Sequence, residues 1–196
     1  MTSLALLHPI DYRRTRWKND GGWTTELARS GGEDFRWRCS IADIERDGPF
    51  SPFPGIERDL LLLEGNGMEL DIAGIGTRRL THRFERVHFP GEAAVDCNVL
   101  AGPTRDFNVM ARRDAVRAEV VARPLVGPMV IFPDPACEWL LHMLTGEAHA
   151  RTGDAAETLA AGSTLHLDFR TATPHRVVLD GAGELVLVKF VPVTLA

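Results

Sequence analysis

Several features that mark common protein classes are missing from this 196-residue chain. Its three cysteines, Cys39, Cys97 and Cys137, lie far apart without CxxC spacing, which is typical of reduced thiols rather than of a disulfide framework or a zinc site. No window approaches the roughly 20 apolar residues of a membrane span, and the apolar stretch 4–7 is too short for a signal-peptide core. We therefore expect a cytoplasmic protein with no membrane partner.

An excess of positive charge is also missing. The net charge is -5, so the chain lacks the clustered cations that an extended nucleic-acid surface needs. This charge does not exclude a local basic pocket. A content of 44% hydrophobic and 25% charged residues is ordinary for a globular protein that buries a core. We expect no nucleic-acid partner.

The common catalytic motifs are missing as well. There is no GxSxG elbow around any serine, and the glycine pairs at 21–22 and 31–32 lack the order of a phosphate-binding loop. These pairs are better interpreted as tight turns. The sequence therefore indicates neither nucleophilic catalysis nor nucleotide binding.

What the chain does contain is a series of strand patterns. In 35–41 apolar residues alternate with Arg36, Arg38 and Ser40, so Arg38 and Ser40 share one face of a strand, and 107–112 alternates in the same way around Asn108. Further strands are predicted at 59–63, 129–132, 139–144, 164–169, 176–179 and 184–192. Two short helices are predicted, at 103–107 and 154–159. The pattern is typical of an all-β sandwich or barrel.

The order of these elements repeats in the two halves. A strand ending in glycine, a hairpin, a second turn and two more strands occur in 60–110 and again in 139–188, offset by roughly 70 to 80 residues, which suits a duplicated small domain. Each half resembles a cupin. The resemblance implies an all-β bicupin of two cupin-like jelly-roll barrels, an N-terminal one in 1–115 and a C-terminal one in 116–196. The alternative is one compact unit in which the two barrels share strands.

Three motifs carry a closer resemblance. The segments WKNDGGWTTELA (17–28), FRWRCSIADIERDGPFSPFPGIERDLLLLEG (35–65) and GPTRDFNVMARR (102–113) resemble the HutD/Ves family within the RmlC-like cupin superfamily. The family pattern near the start is WKNGGG, and Asp20 stands at the first of those glycines.

Metal-binding cupins use an HxH pair, a carboxylate and a distant histidine. The regions where the pairs are expected, 50–54 and 132–135, contain no histidine, and the distant position holds Asp96 in the first half and His175 in the second. We expect no metal and no cofactor. The remaining strand histidines are interpreted as structural or surface residues. They are His142, His149 and His166.

The family-like segments hold polar residues suited to a small anion. A guanidinium can pair with a carboxylate in bidentate fashion, and hydroxyl and amide groups supply directional hydrogen bonds. The residues that we predict to bind the ligand are Trp17, Lys18, Asn19, Thr25, Glu26, Arg38, Ser40 and Asn108. Trp17, Trp37 and Phe50 are predicted to wall the pocket. The alternative is that Arg38 and Glu26 form a buried ion pair with the tryptophans as core.

Two further features have local interpretations. The segment 47–55, with three prolines and two glycines, is either a lid over the pocket or a connector packed on the barrel end, and we favour the connector. The neighbours Arg58 and Asp59, and likewise Arg105 and Asp106, are interpreted as local ion pairs.

The HutD/Ves resemblance implies a non-enzymatic small-molecule-binding or regulatory protein linked to histidine utilisation, with a small acidic metabolite such as formylglutamate or urocanate as partner. The alternative is a metal-free enzyme, an isomerase or hydrolase with Glu26 as general base and Arg38 as substrate clamp. A third, protein-binding role follows the Ves side of the family. The apolar second half offers a surface for a homodimer.

Overall fold

The structure is a computed structural model that describes residues 3–170 and 175–194. Apart from one 3-10 helix at Pro9–Asp11, the regular elements of these ranges are strands. The strands are β1 (Ser3–Leu7), β2 (Arg13–Arg16), β3 (Gly22–Ser30), β4 (Trp37–Ile44), β5 (Gly48–Pro49), β6 (Ile56–Glu64), β7 (Met68–Ile72), β8 (Gly76–Leu80), β9 (Arg86–Pro90), β10 (Val95–Val99), β11 (Thr104–Arg112), β12 (Val116–Ile131), β13 (Glu138–Thr152), β14 (Ala155–Ala160), β15 (Thr164–Asp168) and β16 (Val177–Pro192). In the described ranges no helix is long and apolar enough to cross a membrane.

The chain divides into two compact units. The N-terminal unit is Tyr12–Val116, and the C-terminal unit combines Met1–Asp11 with Arg117–Ala196. The sequence places the first residues with the N-terminal half, but β1 pairs antiparallel with β15 of the C-terminal unit. Leu4 and Leu6 of β1 pack against that unit's apolar core, which explains why the first strand belongs to the C-terminal unit.

The N-terminal unit consists of two sheets. A six-stranded sheet has the order β2-β3-β4-β11-β6-β9, and a four-stranded sheet has the order β5-β10-β7-β8. One apolar cluster includes Leu60 and Leu62 of β6 together with Met68, Leu70 and Cys97 of the smaller sheet. Since side chains alternate along a strand, Leu60 and Leu62 share their face of β6 with Arg58. The core-facing side of the larger sheet therefore changes from apolar to polar along its strands.

The hairpin of β3 and β4 depends on a glycine. A Cβ atom at Gly22 would lie 2.3 Å from the carbonyl oxygen of Asp43, so a side chain at this position would push the two strands apart. Gly22 lies in the family-like WKNDGG segment. This close approach sets where β3 begins and how the loop before it enters the sheet.

The C-terminal unit has one sheet of the order β1-β15-β13-β16-β12, with β14 paired to β13. The long strands β13 and β16 pair from Glu138 to Arg151, with a register shift between Met143 and Thr145. Leucines from β13, β15 and β16 fill its apolar cluster. The sequence predicts two separate strands where β16 is continuous.

Both predicted helices are wrong. Residues 104–107 belong to β11 and pair with β4, and 155–159 belong to β14 and pair with β13. The short stretches have little helical periodicity of their own, so pairing with a neighbouring strand decides their conformation. Large exposed apolar residues include Val121, Val126 and Phe132 of the C-terminal unit, and the homodimer that the sequence suggests stays a prediction.

Candidate functional site

A cavity of about 600 Å³ lies in the N-terminal unit, at the polar end of the larger sheet's core-facing side. Its floor comes from alternate residues of three adjacent strands: Arg38 and Ser40 of β4, Arg58 of β6, and Asp106 and Asn108 of β11. The prediction that Arg38 and Ser40 share a face is confirmed.

The strand register arranges these side chains in levels. Met110 of β11 lies opposite both Arg38 and Arg58, so the two guanidinium residues belong to one level. Asn108 lies opposite Ser40, which forms the next level with it. Asp106, two residues before Asn108 on β11, forms the third level. Successive levels are separated by about 7 Å, which is twice the rise per residue of an antiparallel strand.

The wall of the cavity comes from the two loop segments around Trp17 and Phe50. Their rings meet edge to face with centroids 6.0 Å apart. The Trp17 Nε1–H donates a hydrogen bond to Thr24 Oγ1 at 2.8 Å, which orients the indole. Residues 49–53 of the Pro-rich loop line the cavity, and the backbone N–H of Phe53 donates to Gly91 O at 2.7 Å. The loop therefore forms part of the cavity wall, which the interpretation as a connector alone does not include.

The WKNDGG loop beside the cavity has a left-handed residue. Asp20 has φ +55°, a conformation that glycine adopts freely and that aspartate tolerates better than most residues. The Asp20 carbonyl accepts hydrogen bonds from Arg16 Nη2 at 2.6 Å and from Arg46 Nη2 at 2.7 Å. Asn19 Oδ1 accepts the backbone N–H of Gly21 at 3.0 Å. The loop thus keeps a glycine-like backbone at Asp20 despite the substitution.

Arg58 is buried, with 4% of its surface exposed. Its guanidinium carbon lies 5.3 Å from the ring centroid of Phe50 and 4.9 Å from that of Phe89. Within residues 3–170 and 175–194, Arg58 Nε has no hydrogen-bond partner and the guanidinium has no ion pair. Burial lowers the pKa of Arg58 to about 10, the nearby Asp106 opposes the shift, and Arg38 adds to it.

Two oxygen acceptors face the same cavity. Asp106 and Asn108 are 1% and 7% exposed, and the described part of the chain supplies no hydrogen-bond partner for the Oδ1 atom of either residue. Burial raises the pKa of Asp106 to about 7; Arg58 opposes this shift, and the negative charge of Asp43 reinforces it. Buried polar atoms are nearly always hydrogen-bonded in proteins, so a group of unpaired ones is a mark of a ligand site.

Arg38 forms an ion pair at the edge of the cavity. Its Nε lies 2.7 Å from Glu26 Oε2, at ion-pair distance but off the direction of an N–H hydrogen bond, and Glu26 Oε1 lies 3.4 Å from Arg29 Nε. The Arg38 and Glu26 side chains are 20% and 18% exposed. The ion-pair interpretation and the ligand interpretation of Arg38 are therefore compatible, because the residue also lines the cavity.

Most of the predicted site residues line the cavity. These are Trp17, Lys18, Asn19, Arg38, Ser40 and Asn108. Glu26 lies outside it, in a smaller hollow on the other side of Arg38, and Thr25 is outside both because its neighbour Thr24 takes the inward position. Trp37 is 1% exposed and does not wall the cavity, since it alternates with Arg38 along β4.

Arg58 and Asp106 are not among the predicted site residues, and the local ion pairs predicted for them are wrong. Consecutive strand residues point to opposite faces. On the opposite face, Asp59 Oδ2 lies 3.3 Å from His88 Nδ1, and Arg105 Nε donates to Asp43 at 2.7 Å. Asp106 lay in the predicted helix 103–107, and only the extension of the strand back to Thr104 places it on the same face as Asn108.

The residues at the cupin metal positions do not fit a metal ion. Asp96 and His175 are exposed, and the described ranges contain no group of three or more His, Cys, Asp or Glu side chains that could hold one. His142 Nδ1 lies 2.9 Å from Thr164 Oγ1, and burial lowers its pKa to about 4. His166 Nε2 lies 3.1 Å from Glu138 Oε2. These two histidines have protein partners.

Comparison with known proteins gives the cavity its context. The family model HutD matches residues 10–187, which include every residue of the cavity. The chain belongs to the HutD family. It is 44% identical over 123 residues to an uncharacterised 21.2 kDa protein of the hutC 3' region of Pseudomonas putida, and 38% identical over 110 residues to protein Ves of Citrobacter koseri. These alignments cover 61% and 53% of this chain but only 64% and 56% of the two relatives.

Solved structures agree with the family and with the fold. A conserved protein of unknown function from Pseudomonas aeruginosa PAO1 has 30% identity and a TM-score of 0.86, with 96% of this chain and 98% of that one covered. HutD from Pseudomonas fluorescens SBW25 has 28% identity and a TM-score of 0.81 over 98% of this chain and 100% of that one. The pirin YhhW of Escherichia coli, at 10% identity and TM-score 0.70 with 98% and 100% of the chains covered, shares the fold alone. The all-β bicupin prediction is confirmed.

Proposed function

We propose that this HutD family protein is a non-enzymatic binding protein, linked to histidine utilisation, that holds a small carboxylate in the cavity of its N-terminal unit. The observation that carries the proposal is Arg58, a buried guanidinium that faces the cavity with no ion pair in the described ranges. A buried charge without an ion pair is unfavourable even with Asp106 nearby, and an anion that enters the cavity reduces that cost.

The arrangement of the two arginines favours an anion over a cation. Arg38 and Arg58 lie at one level of the sheet, and the charge of Arg38 contributes to the lowered pKa of Arg58. A carboxylate between them would reduce this repulsion and accept charge-assisted hydrogen bonds from both residues. Glu26 offsets Arg38 from the far side but forms no ion pair with Arg58.

The size and walls of the cavity suit a metabolite. A volume of about 600 Å³ is within the range of small-molecule sites, and Trp17 and Phe50 supply flat apolar surfaces. The association of a relative with a hut region supports formylglutamate and urocanate as the first ligands to test. Both are carboxylates, and urocanate adds a planar ring that can pack against an aromatic wall.

Calorimetric titration of the full chain with these two compounds tests the proposal. We expect Arg58→Gln and Arg38→Gln each to weaken binding by roughly tenfold or more, since each removes a charged hydrogen bond. Arg105→Gln is the matched control, because Arg105 lies on β11 but pairs with Asp43 away from the cavity. Unchanged affinity in both cavity variants, or equal loss in the control, would contradict the proposal.

A metal-free enzyme is the second candidate, and one observation favours it. Burial holds the pKa of Asp106 at about 7, which suits a general base at neutral pH. Glu26, the base that the sequence suggests, is paired with Arg38 and Arg29 instead. Proton NMR of the bound compound over time tests this role, and turnover that Asp106→Asn abolishes would replace the binding-protein proposal.

A further inference from the structure

The two buried acceptors of the cavity remain unexplained by a carboxylate alone. Asp106 Oδ1 and Asn108 Oδ1 have no donor within the described part of the chain, and both residues line the cavity. A carboxylate has oxygens only, so it cannot satisfy an oxygen acceptor, and it is repelled by the ionised form of Asp106. A second kind of group is needed at this end of the site.

The protein offers few donors that reach these oxygens. The guanidinium of Arg58 makes no hydrogen bond to Asp106, and the indole of Trp17 donates to Thr24. Ser40 lies opposite Asn108, yet its hydroxyl leaves Asn108 Oδ1 without a partner. Because both residues line the cavity, a ligand bound there is the available source of a donor for these two oxygens.

Donor and acceptor side chains are separated along the sheet. The guanidinium level contains Arg38 and Arg58, and the acceptors follow at the Asn108 level and the Asp106 level. Because each step is about 7 Å, one end of the cavity is cationic and the other accepts hydrogen bonds. A compact anion such as formate would reach only one of these ends.

We propose that the ligand carries an N–H donor (an amide, a ring N–H or an ammonium group) at the end remote from its carboxylate, and that Asp106 and Asn108 determine specificity by accepting from it. This inference rests on the proposed function, which assigns the carboxylate to Arg38 and Arg58. It adds a requirement on the other end of the ligand: a molecule with an ester or an ether in place of the N–H leaves the two oxygens desolvated and unpaired.

A matched pair of probes isolates this requirement. The monoamide of adipic acid and its monomethyl ester have the same chain and the same carboxylate, but only the amide donates N–H. Calorimetry is carried out at about pH 8, where Asp106 is mostly ionised. We expect the wild-type chain to bind the amide at least tenfold more tightly than the ester.

Variants assign that preference to residues. Asp106→Leu and Asn108→Leu remove one acceptor each at similar volume, and each should reduce the amide preference by threefold or more. Asp106→Asn keeps one acceptor oxygen and takes the place of the leucine variant if that variant does not fold. Arg38→Gln should weaken both probes alike and leave their ratio unchanged. Asp96→Asn, an exposed carboxylate outside the cavity, is the control.

The outcomes separate this inference from the proposed function. Equal binding of amide and ester, with both weakened in Arg38→Gln, overturns the N–H requirement and leaves carboxylate binding intact. An amide preference that survives in both leucine variants overturns the assignment to Asp106 and Asn108. If neither probe binds and formylglutamate and urocanate also fail, the proposed function falls and the inference falls with it. Binding of those two compounds without binding of the monoamide at millimolar concentration also overturns the inference.

Discussion

Two buried carboxylates, one in each unit, have opposite surroundings. In the C-terminal unit the carboxylate of Glu138 is 1% exposed, and it lies 3.1 Å from both His166 Nε2 and Arg170 Nη1. In the N-terminal unit the carboxylate of Asp106 is equally buried but has no ion pair in the described ranges. Breaking a buried pair leaves an uncompensated charge, whereas a buried carboxylate without a pair weakens the fold, and groups of the second kind are concentrated at functional sites.

The contrast extends to the interiors. Leucines and other apolar residues fill the cluster of the C-terminal unit, including Leu141, Leu165 and Leu185. The N-terminal unit has a comparable cluster around Leu60, but Arg58 on the same strand face opens into a cavity. A few polar residues on one sheet face therefore distinguish the interior of the N-terminal unit from that of the C-terminal unit.

The largest effect is expected at the paired carboxylate. Glu138→Gln removes the carboxylate that His166 contacts and one of the two carboxylates that pair with Arg170, which keeps Asp168, so we expect the free energy of unfolding to fall by about 3 kcal/mol. Urea denaturation followed by circular dichroism measures this. Glu119→Gln, at an exposed pair with Arg117, is the control and should cost less than about 1 kcal/mol. Equal costs at the two sites would break the comparison.

The unpaired carboxylate should behave in the opposite way. The pKa of Asp106 is raised from 3.8 to about 7, so its contribution to stability is fully present below 3.8 and is lost as the pH rises through 7. Asp106→Asn removes that loss. We expect its stability advantage over the wild type to grow by about 2 kcal/mol between about pH 5 and about pH 8, by urea denaturation. A variant that is less stable than the wild type at the higher pH would show that Asp106 is a structural residue.

A matched titration in the C-terminal unit has the reverse sign. Burial depresses the pKa of His142 from 6.5 to about 4, so the stability that neutral His142 allows is present above 6.5 and is lost as the pH falls through 4. His142→Gln keeps a hydrogen-bonding side chain for Thr164 without the titration. We expect it to remove about 1 to 2 kcal/mol of the wild type's loss between about pH 7 and about pH 5. An unchanged acid loss would contradict this.

The smallest effects concern two left-handed residues, one in each unit. Asp20 has φ +55° in the loop beside the cavity, and Ala136 has φ +70° in a turn before β13. Glycine relieves this strain, so we expect Ala136→Gly to stabilise the chain by about 1 kcal/mol and Asp20→Gly by at most about 0.5 kcal/mol, because aspartate tolerates the conformation better. Thermal unfolding of the two variants gives the order. A larger gain at Asp20 would place the greater strain beside the cavity.

Much of the site was predictable because strands have a strict period of two. Alternation placed Arg38 with Ser40, and Asn108 on an inward face, without any knowledge of the pairing. The same rule applied to β6 would have found Arg58 two residues before Leu60. It was missed because an adjacent Arg and Asp look like a local ion pair, although in a strand they face opposite ways.

Local motifs and alternation along single strands were enough to predict the family, the all-β class and most of the polar residues that line the cavity. Four features became visible only in the folded chain: Arg58 and Asp106 lie in one cavity, Glu26 lies outside it beside Arg38, the first strand joins the C-terminal unit, and two expected helices are strands. Each of these depends on register and pairing between segments far apart in the chain. Burial, which leaves Arg58 Nε and Asp106 Oδ1 without hydrogen bonds in the described ranges, is likewise a property of the packed fold rather than of any residue.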